Sequence, residues 1–363
     1  MKRNLKISTL ALGLLAVSTG VFAGNKDRVG QSGASELLIN PWARTTGVFG
    51  LNGSYIGGLE AMKCNIGGLA QDTSMEVGAS TGVYLTNTGI NVNNVGIAIP
   101  LKNDQAIGFN IMSIGFGDIT ATDYNNPDGY GQFRPSFLNI QMGYSKQFST
   151  HVNAGAAATF VSEQVNNVGA MGVAFEGGIQ YVTGKDNNYH LGITLKNLGT
   201  NMKFTGTGFA VSGEQTQSTL TYSATQMTPT EKFELPTLLN ISGAYDIYMK
   251  ENGKESKNQK LTLMGNFTSN SFINDYIGVG AEYTYKNMMS LRAAYRWENG
   301  IGDPATTSTM FTGIAAGATL QTRLGKGGPM LAIDYSFRPT QRPANGVHMF
   351  SLRFTRNANH KDE

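Results

Sequence analysis

The stretch LNIQMGYSKQF, residues 138–148, opens with a strict alternation of side-chain type. Leu138, Ile140, Met142 and Tyr144 are apolar, and the residues between them are Asn, Gln and Gly. Successive side chains of a β-strand point to opposite faces, so this period of two predicts a strand with one apolar and one polar face. The stretch is also long enough to cross a bilayer as a tilted strand, which takes about 9–11 residues.

The same period recurs along the chain. Apolar residues alternate with polar or small ones in VAFEGGIQYVT (173–183), in LNISGAYDIYM (239–249), and in segments 331–338 and 350–354. Strands of a soluble β-sandwich are shorter, about 5–6 residues, and pack both sheets around one apolar core. We therefore expect an all-β fold, an integral outer-membrane antiparallel β-barrel of about 14 strands.

The N-terminus and the composition fit an exported membrane protein. Residues 1–23 combine a basic start with an apolar run and a small-residue end, which is typical of a secretory signal peptide. No later run holds the roughly 18 consecutive apolar residues of a spanning helix. The net charge of +3 resides in the three cations of this leader, so the mature chain is near neutral and no nucleic-acid partner is expected. We expect a multi-pass barrel in a Gram-negative outer membrane, in contact with its lipid and lipopolysaccharide.

Fourteen alternating runs can be placed in the barrel region, residues 74–363. They are 74–86, 91–100, 104–117, 136–148, 152–163, 170–183, 188–197, 236–249, 259–269, 275–286, 288–298, 311–324, 329–338 and 346–356.

Strand parity decides how the weaker candidate 217–225 is interpreted. Barrels of this type usually have an even strand number, short periplasmic turns and longer outer loops. Without 217–225, segments 118–135 and 198–235 become long outer loops, and 250–258 becomes a charged periplasmic turn. The short periplasmic turns are then 184–187, 286–287 and 325–328.

Residues 24–73 precede the first run and do not alternate. They are apolar and glycine-rich, and a segment with so many apolar side chains has to bury them. A barrel of about fourteen strands encloses a lumen that needs filling. We therefore expect a plug, or hatch, in the barrel, with Arg44 paired to a lumen carboxylate such as Glu176 or Glu282. The expected plug residues are Leu37, Leu38, Ile39, Trp42, Arg44 and Asn65.

Several motifs resemble the PorV/PorQ family of Bacteroidetes outer-membrane proteins. They are ELLINPWART (36–45), GLEAMKCNIGGLA (58–70), FELPTLLNISGAYD (233–246), and DYSFRP with HMFSLRF near the end. Asn65 matches the NPAGLA motif of this family, whereas Ile66 and Gly67 replace its Pro and Ala. The family is similar in fold to FadL-type barrels, so the resemblance implies fourteen strands and an N-terminal hatch. It also implies service in the type IX secretion system, or as an accessory subunit of another outer-membrane machine such as the barrel-assembly complex.

The chain offers little catalytic chemistry. GASTG at 78–82 fits the G-x-S-x-G pattern around Ser80. A nucleophile elbow needs a strand-to-helix turn, but the alternation continues through this segment, so it predicts a strand. The four histidines are dispersed, and the single cysteine, Cys64, is expected to be buried and inert. We expect no enzyme activity, no metal and no cofactor.

Charged residues of the predicted strands have two interpretations. On the predicted register they face the lumen, where they either line a solute path or, as we favour, pair with one another and hydrogen-bond the plug. They are Glu176, Asp246, Glu282, Arg292, Arg296 and Asp334.

Two functions are compatible with this fold. The first is a partner subunit of a secretion translocon or barrel-assembly complex, which binds other outer-membrane proteins or secreted cargo domains. Its docking surface would be the outer loops, because aromatic anchors commonly mark interfaces. The alternative is a FadL-like channel for hydrophobic small molecules, with an apolar pocket beside the hatch. The candidate docking aromatics are Tyr124, Tyr130, Phe133, Phe204 and Phe209.

Overall fold

The computed structural model describes residues 28–72, 74–217, 220–251, 254–303, 305–325, 328–341 and 344–356. The predicted signal peptide, 1–23, lies outside these residues. Within the described ranges, fourteen antiparallel strands form one closed barrel. They are β1 Met75–Val83, β2 Asn91–Leu101, β3 Gln105–Gly115, β4 Ser136–Ser149, β5 Val152–Val165, β6 Val168–Thr183, β7 Tyr189–Gly199, β8 Leu238–Glu251, β9 Lys254–Asn270, β10 Tyr276–Tyr285, β11 Met289–Glu298, β12 Ile314–Arg323, β13 Met330–Arg338 and β14 Val347–Arg356.

Each strand pairs with its neighbours in sequence, and β14 closes the sheet on β1. Val83 lies opposite His348 and Met75 opposite Arg356 across this closing pair. The structure therefore confirms the predicted fold class and strand number. Among the described residues, no helix has both the length and the apolar character needed to cross a membrane.

The predicted alternation separates an outer face from a lumen face. On β4, Met142 and Tyr144 are exposed on the outside, whereas Asn139, Gln141 and Ser145 are buried inside. This arrangement follows from the bilayer, which requires an apolar outer band, whereas the interior accepts polar side chains. The closed ladder also leaves no unpaired sheet edge in the hydrocarbon.

The two ends of the barrel differ. We call the end with connections 116–135 and 200–237 the loop end, and the end with connections 184–188 and 286–288 the turn end. At the loop end, Ala210–Gln217 pairs with Leu220–Met227 in a separate two-stranded sheet. Segment 217–225 therefore does not cross the membrane, as strand parity predicts. A second short hairpin, Ile119–Ala121 with Gly131–Phe133, lies within the other long connection.

The prediction of a charged turn at 250–258 is wrong. β8 and β9 continue into this segment, where Glu251 lies opposite Lys254. Charged side chains are compatible with strands that extend beyond the bilayer, because water solvates both faces there. A charged composition therefore did not exclude strand pairing.

Candidate functional site: the plug and the lumen wall

The lumen is filled by the N-terminal segment 28–72, which we call the plug. It contains five short helices: Ser35–Leu38, Ala43–Thr46, Leu51–Ser54, Gly58–Lys63 and Ile66–Gln71. Its buried side chains include Trp42, Leu51, Ile56 and Leu59, each with 0% exposure. Positive φ angles at Gly50 (76°) and Gly58 (65°) let the backbone reverse between these helices.

The plug runs along the whole barrel. At the loop end, Arg28 pairs with Glu234 at 2.6 Å. At the turn end, the Leu59 backbone N–H donates to the Glu76 carboxylate at 2.7 Å. The plug ends at residue 72, shortly before β1 begins at Met75.

A network of buried charges joins one side of the plug to β10–β13. Arg44 donates to Glu282 at 3.2 Å, and Arg292 donates to the same carboxylate at 3.0 Å. Arg292 also lies 3.9 Å from Asp334. Burial opposes the charge on Arg44, but Glu282 and Glu60 outweigh it and raise its pKa above the usual range. Glu282 is thus shared between a plug cation and a wall cation.

A second charged contact lies near β1 and β14. Arg353 is 3.9 Å from both Glu60 of the plug and Glu76 of β1. Burial raises the pKa of Glu60 to about 7, although Arg353 opposes the shift. The turn-end half of the plug is therefore also attached to the wall through charge.

The remaining predicted lumen residues also lie inside. Asp246 is 3.2 Å from His190 and 3.1 Å from Lys260. Glu176 lies 3.8 Å from Lys196, and Arg296 stacks over the plug residue Phe49 at 4.8 Å. Asp246 and Glu176 thus pair with other side chains of the wall, whereas Arg296 contacts the plug.

The opposite side of the plug carries apolar side chains that face a band of glycines in the wall. The wall positions are Gly78, Gly96, Gly108 and Gly143 on β1–β4, which we call the glycine tier. A Cβ at Gly108 would lie 2.3 Å from Met62 Sδ, and one at Gly143 would lie 2.6 Å from Ile66 Cδ1. Trp42 and Leu59 lie against Gly78 in the same way. The plug side chains thus rest directly on strand backbone.

Outside the glycine tier, the lipid-facing surface carries a groove of about 500 Å³. Its lining includes the backbone of Gly108 and Gly143, which separates the groove from Met62 and Ile66 of the plug. The strand ladders from β2 to β5 run past this point with paired backbones, so the wall is closed here. The other lining residues are Ile97, Ile99, Ile107, Phe109, Met142, Tyr144, Ala156, Ala157, Ala158 and Phe175.

Asn65 organises the last helix of the plug, Ile66–Gln71. Its side chain accepts from the Gly67 N–H at 3.1 Å and donates to Gly53 O at 2.9 Å and Ile179 O at 3.0 Å. The residue therefore caps a helix and fastens it to β6. Its neighbour Cys64 is half-buried, and loss of solvent around its thiol raises the pKa of that group to about 12.

Two sequence-based assignments need correction. Leu38 was expected inside the plug, but it is 40% exposed because its turn presents Leu37 to the core instead. Phe204 was expected as a docking anchor, but its ring packs on Phe233 at 5.6 Å against the start of the plug. Of the other candidate aromatics, Tyr124 and Tyr130 are exposed, whereas Phe133 and Phe209 are half-buried.

Sequence reasoning missed the glycine tier and a buried carboxyl pair, Glu36 with Glu163. Burial and the charge of Glu163 raise the pKa of Glu36 to about 8. The tier was detectable in principle, because its glycines all fall on the lumen-facing parity of their strands.

The fold and its filled lumen define a class of protein: an integral outer-membrane β-barrel closed by an N-terminal plug. The profile of the OmpA-like transmembrane domain matches residues 128–328, more than half of the sequence. The chain belongs to this family. No curated protein matches it significantly.

Two solved barrels show the same overall architecture. The Pseudomonas putida toluene transporter TodX aligns with a TM-score of 0.57 at 11% identity, over 88% of this chain and 99% of TodX. The CymD monoaromatic hydrocarbon channel aligns with a TM-score of 0.55 at 11% identity, over 89% of this chain and 99% of CymD. At this identity the likeness establishes the fold alone.

Proposed function

We propose that this protein is a non-enzymatic outer-membrane channel for hydrophobic small molecules, gated by its plug. The observation that carries the proposal is the division of the plug into a charged side and an apolar side. Ion pairs fix the charged side to β10–β14. The side chains on the apolar side rest on the glycine tier through van der Waals contacts. The barrels of similar fold include the toluene transporter TodX and the monoaromatic hydrocarbon channel CymD.

The route that we propose lies between the apolar side of the plug and the glycine tier. The side chains of Leu59, Met62 and Ile66 contact this wall through apolar carbon and sulfur atoms. Such contacts are non-directional, so a hydrophobic solute can replace them. Displacing the opposite side would break buried ion pairs, which is far more costly. The plug would therefore yield on its apolar side first.

Planar-bilayer recording tests the gate directly. Deletion of residues 30–45 removes Arg44 and Trp42, and we expect it to raise single-channel conductance above that of the full chain. The matched control deletes residues 119–133 from a loop-end connection and leaves the plug intact. An unchanged conductance in a correctly inserted 30–45 deletion would contradict a plug function.

A second candidate function is supported by the loop-end aromatics and by the PorV/PorQ resemblance. Tyr124 is 100% exposed and Tyr130 is 65% exposed on the hairpin-bearing connection 116–135. In this proposal, that surface docks another outer-membrane protein or a secreted domain. Shortening the connection, with heat-modifiable gel mobility as the folding check, should remove a co-purifying partner. Retention of every partner together with normal secretion would exclude this surface.

A further inference from the structure

The glycine tier is accompanied by a second, polar tier on the same strands. On each of β1–β4, the lumen-facing residue two positions nearer the loop end than the tier glycine carries a hydroxyl or an amide. Ser80 lies opposite Asn94, and Asn110 lies opposite Gln141. We call these four residues, together with Asn139, the next lumen-facing residue of β4 towards the loop end, the amide tier. Its members are Ser80, Asn94, Asn110, Asn139 and Gln141.

The amide tier is buried and largely without hydrogen-bond partners. Asn94, Asn110 and Asn139 are 2%, 0% and 1% exposed. Neither side-chain polar atom of these three residues has a partner within the described ranges, and the same holds for Ser80 Oγ and Gln141 Oε1. The Trp42 indole N–H, whose ring lies on Gly78, is also unpaired. Buried polar groups are nearly always hydrogen-bonded in folded proteins, so a cluster of this size needs an explanation.

The surroundings of the tier define what could pair with it. On the turn-end side lie the apolar plug residues Leu59, Met62 and Ile66 against the glycine tier. On the loop-end side, Met112 and Ile114 belong to another apolar cluster. A group that satisfies the amides therefore has to be polar itself and attached to an apolar body.

Charge restricts this group further. The tier itself carries no ionisable side chain. Glu163 follows Val161, the partner of Asn139, at the next lumen-facing position of β5, and its charge acts on the buried Glu36. An anionic head group would meet these carboxyls. Arg353, opposite Gly78, is already held between Glu60 and Glu76.

We propose that the two tiers form one binding site for an amphipathic solute with an uncharged polar head. The apolar body occupies the space between the glycine tier and the plug as the plug yields, and the hydroxyl or carbonyl head bonds the amide tier. This inference rests on the proposed channel function and names the substrate class of that channel. The orphaned amides are the groups that the solute satisfies.

The two tryptophans of the chain allow a direct binding assay. Trp42 lies in the lumen beside the site, whereas Trp297 is 42% exposed on the outer face of β11. Bromine quenches indole emission, so W297F reports solute in the lumen and W42F reports solute in the surrounding lipid. The probes are an ω-bromo undecyl alcohol, the bromoalkane of equal length and the ω-bromo undecanoate, added to the protein in phosphatidylcholine nanodiscs.

Quenching measured in W42F, which comes from solute in the lipid, is subtracted first. The concentration of the alcohol that half-quenches Trp42 should then be roughly fivefold lower than that of the bromoalkane. This ratio corresponds to about one net hydrogen bond. The carboxylate should bind more weakly than the alcohol. N94L/N110L/N139L should abolish the preference for the alcohol and raise thermal stability, because near-isosteric apolar residues replace unpaired amides. If the triple variant does not insert into the membrane, N110L alone replaces it in this test. N266L, the same change at a lumen position of β9, is the matched control and should keep the preference.

Each outcome decides one point. A preference that survives N94L/N110L/N139L, or is lost equally in N266L, would overturn the assignment to the amide tier. Equal quenching by all three probes, or strongest quenching by the carboxylate, would overturn the uncharged head while leaving the channel in place. No quenching of Trp42 by any probe would contradict the channel function itself.

Discussion

The Glu282→Gln substitution probes how the plug is held in the barrel. Glu282 is 2% exposed and lies 3.2 Å from Arg44 and 3.0 Å from Arg292. Removing its charge leaves the buried Arg292 and the half-buried Arg44 without their shared carboxylate. Loss of one partner of a buried ion pair costs about 3–5 kcal/mol, so plug docking should weaken by at least about 3 kcal/mol.

The Arg44→Met substitution is the matched comparison. It removes the plug cation but leaves the Glu282–Arg292 pair intact in the wall. A hydrogen bond to a charged group contributes about 1.5–3 kcal/mol, so this variant should cost less than E282Q. The double variant R44M/E282Q should cost less than the two single changes together, because both act on one contact.

Conductance converts these free energies into a measurable ratio. Each 1.4 kcal/mol is a tenfold change in an equilibrium, so the open fraction of the plug should rise about 100-fold in E282Q and about tenfold in R44M. Planar-bilayer recordings of open probability, on variants that pass the heat-modifiability test, measure both. An R44M effect equal to or larger than that of E282Q would refute the shared-carboxylate reasoning. No change in either variant would show that these contacts do not hold the plug.

Three further predictions concern the plug and the orientation of the barrel. The pKa of Glu36 is about 8 when the plug is docked, against an ordinary value of 4.5. As pH rises, Glu36 therefore loses its proton at a lower pH in the released plug than in the docked plug. Docking is therefore strongest below about pH 4.5 and weakens up to about pH 8, so conductance should rise over this window. E36Q should reduce the rise and leave the part that comes from Glu60, whose pKa of about 7 lies in the same window. A Cβ at Gly68 would lie 2.0 Å from a plug carbonyl oxygen, whereas one at Gly115 meets nothing within 4 Å, so G68A should raise conductance and lower thermal stability, and G115A should change neither. Cysteine placed at Asn125 in a C64S background should react with an impermeant maleimide on intact cells, whereas cysteine at Asn187 should not; the reverse labelling would invert the proposed topology.

Strand positions were predictable from sequence because a membrane strand keeps a strict period of two. The run predicted at 136–148 corresponds to β4, Ser136–Ser149, and the run at 152–163 to β5, Val152–Val165. Strand ends outside the bilayer lose this constraint, which is why the charged segment 250–258 was wrongly interpreted as a turn. The Asn-Gly pair within it, 252–253, is a hairpin signal that outweighs charge.

The sequence predicts which side chains face the interior of the barrel but not the contacts that they make there. Alternation shows that Glu176 and Glu282 face the lumen, and it does not show which of them Arg44 contacts, because that distance depends on how a non-repetitive segment folds inside the barrel. The same limit applies to Gly108 and Gly143, whose parity is visible in the sequence although their contacts with Met62 and Ile66 are not. The packing of Phe204 on Phe233 is likewise a tertiary contact between distant segments.

Uptake of a radiolabelled monoaromatic hydrocarbon by intact cells tests the central claim most directly, because the lipopolysaccharide leaflet is the barrier that such a channel would bypass. Cells that lack their own hydrocarbon channel would express the full chain, the E282Q variant or an empty vector, with TodX as the positive control. The account predicts faster uptake with the full chain than with the vector, and faster still with E282Q. Uptake at the vector rate for both forms, in cells where TodX raises it and both barrels are correctly inserted, would contradict the account.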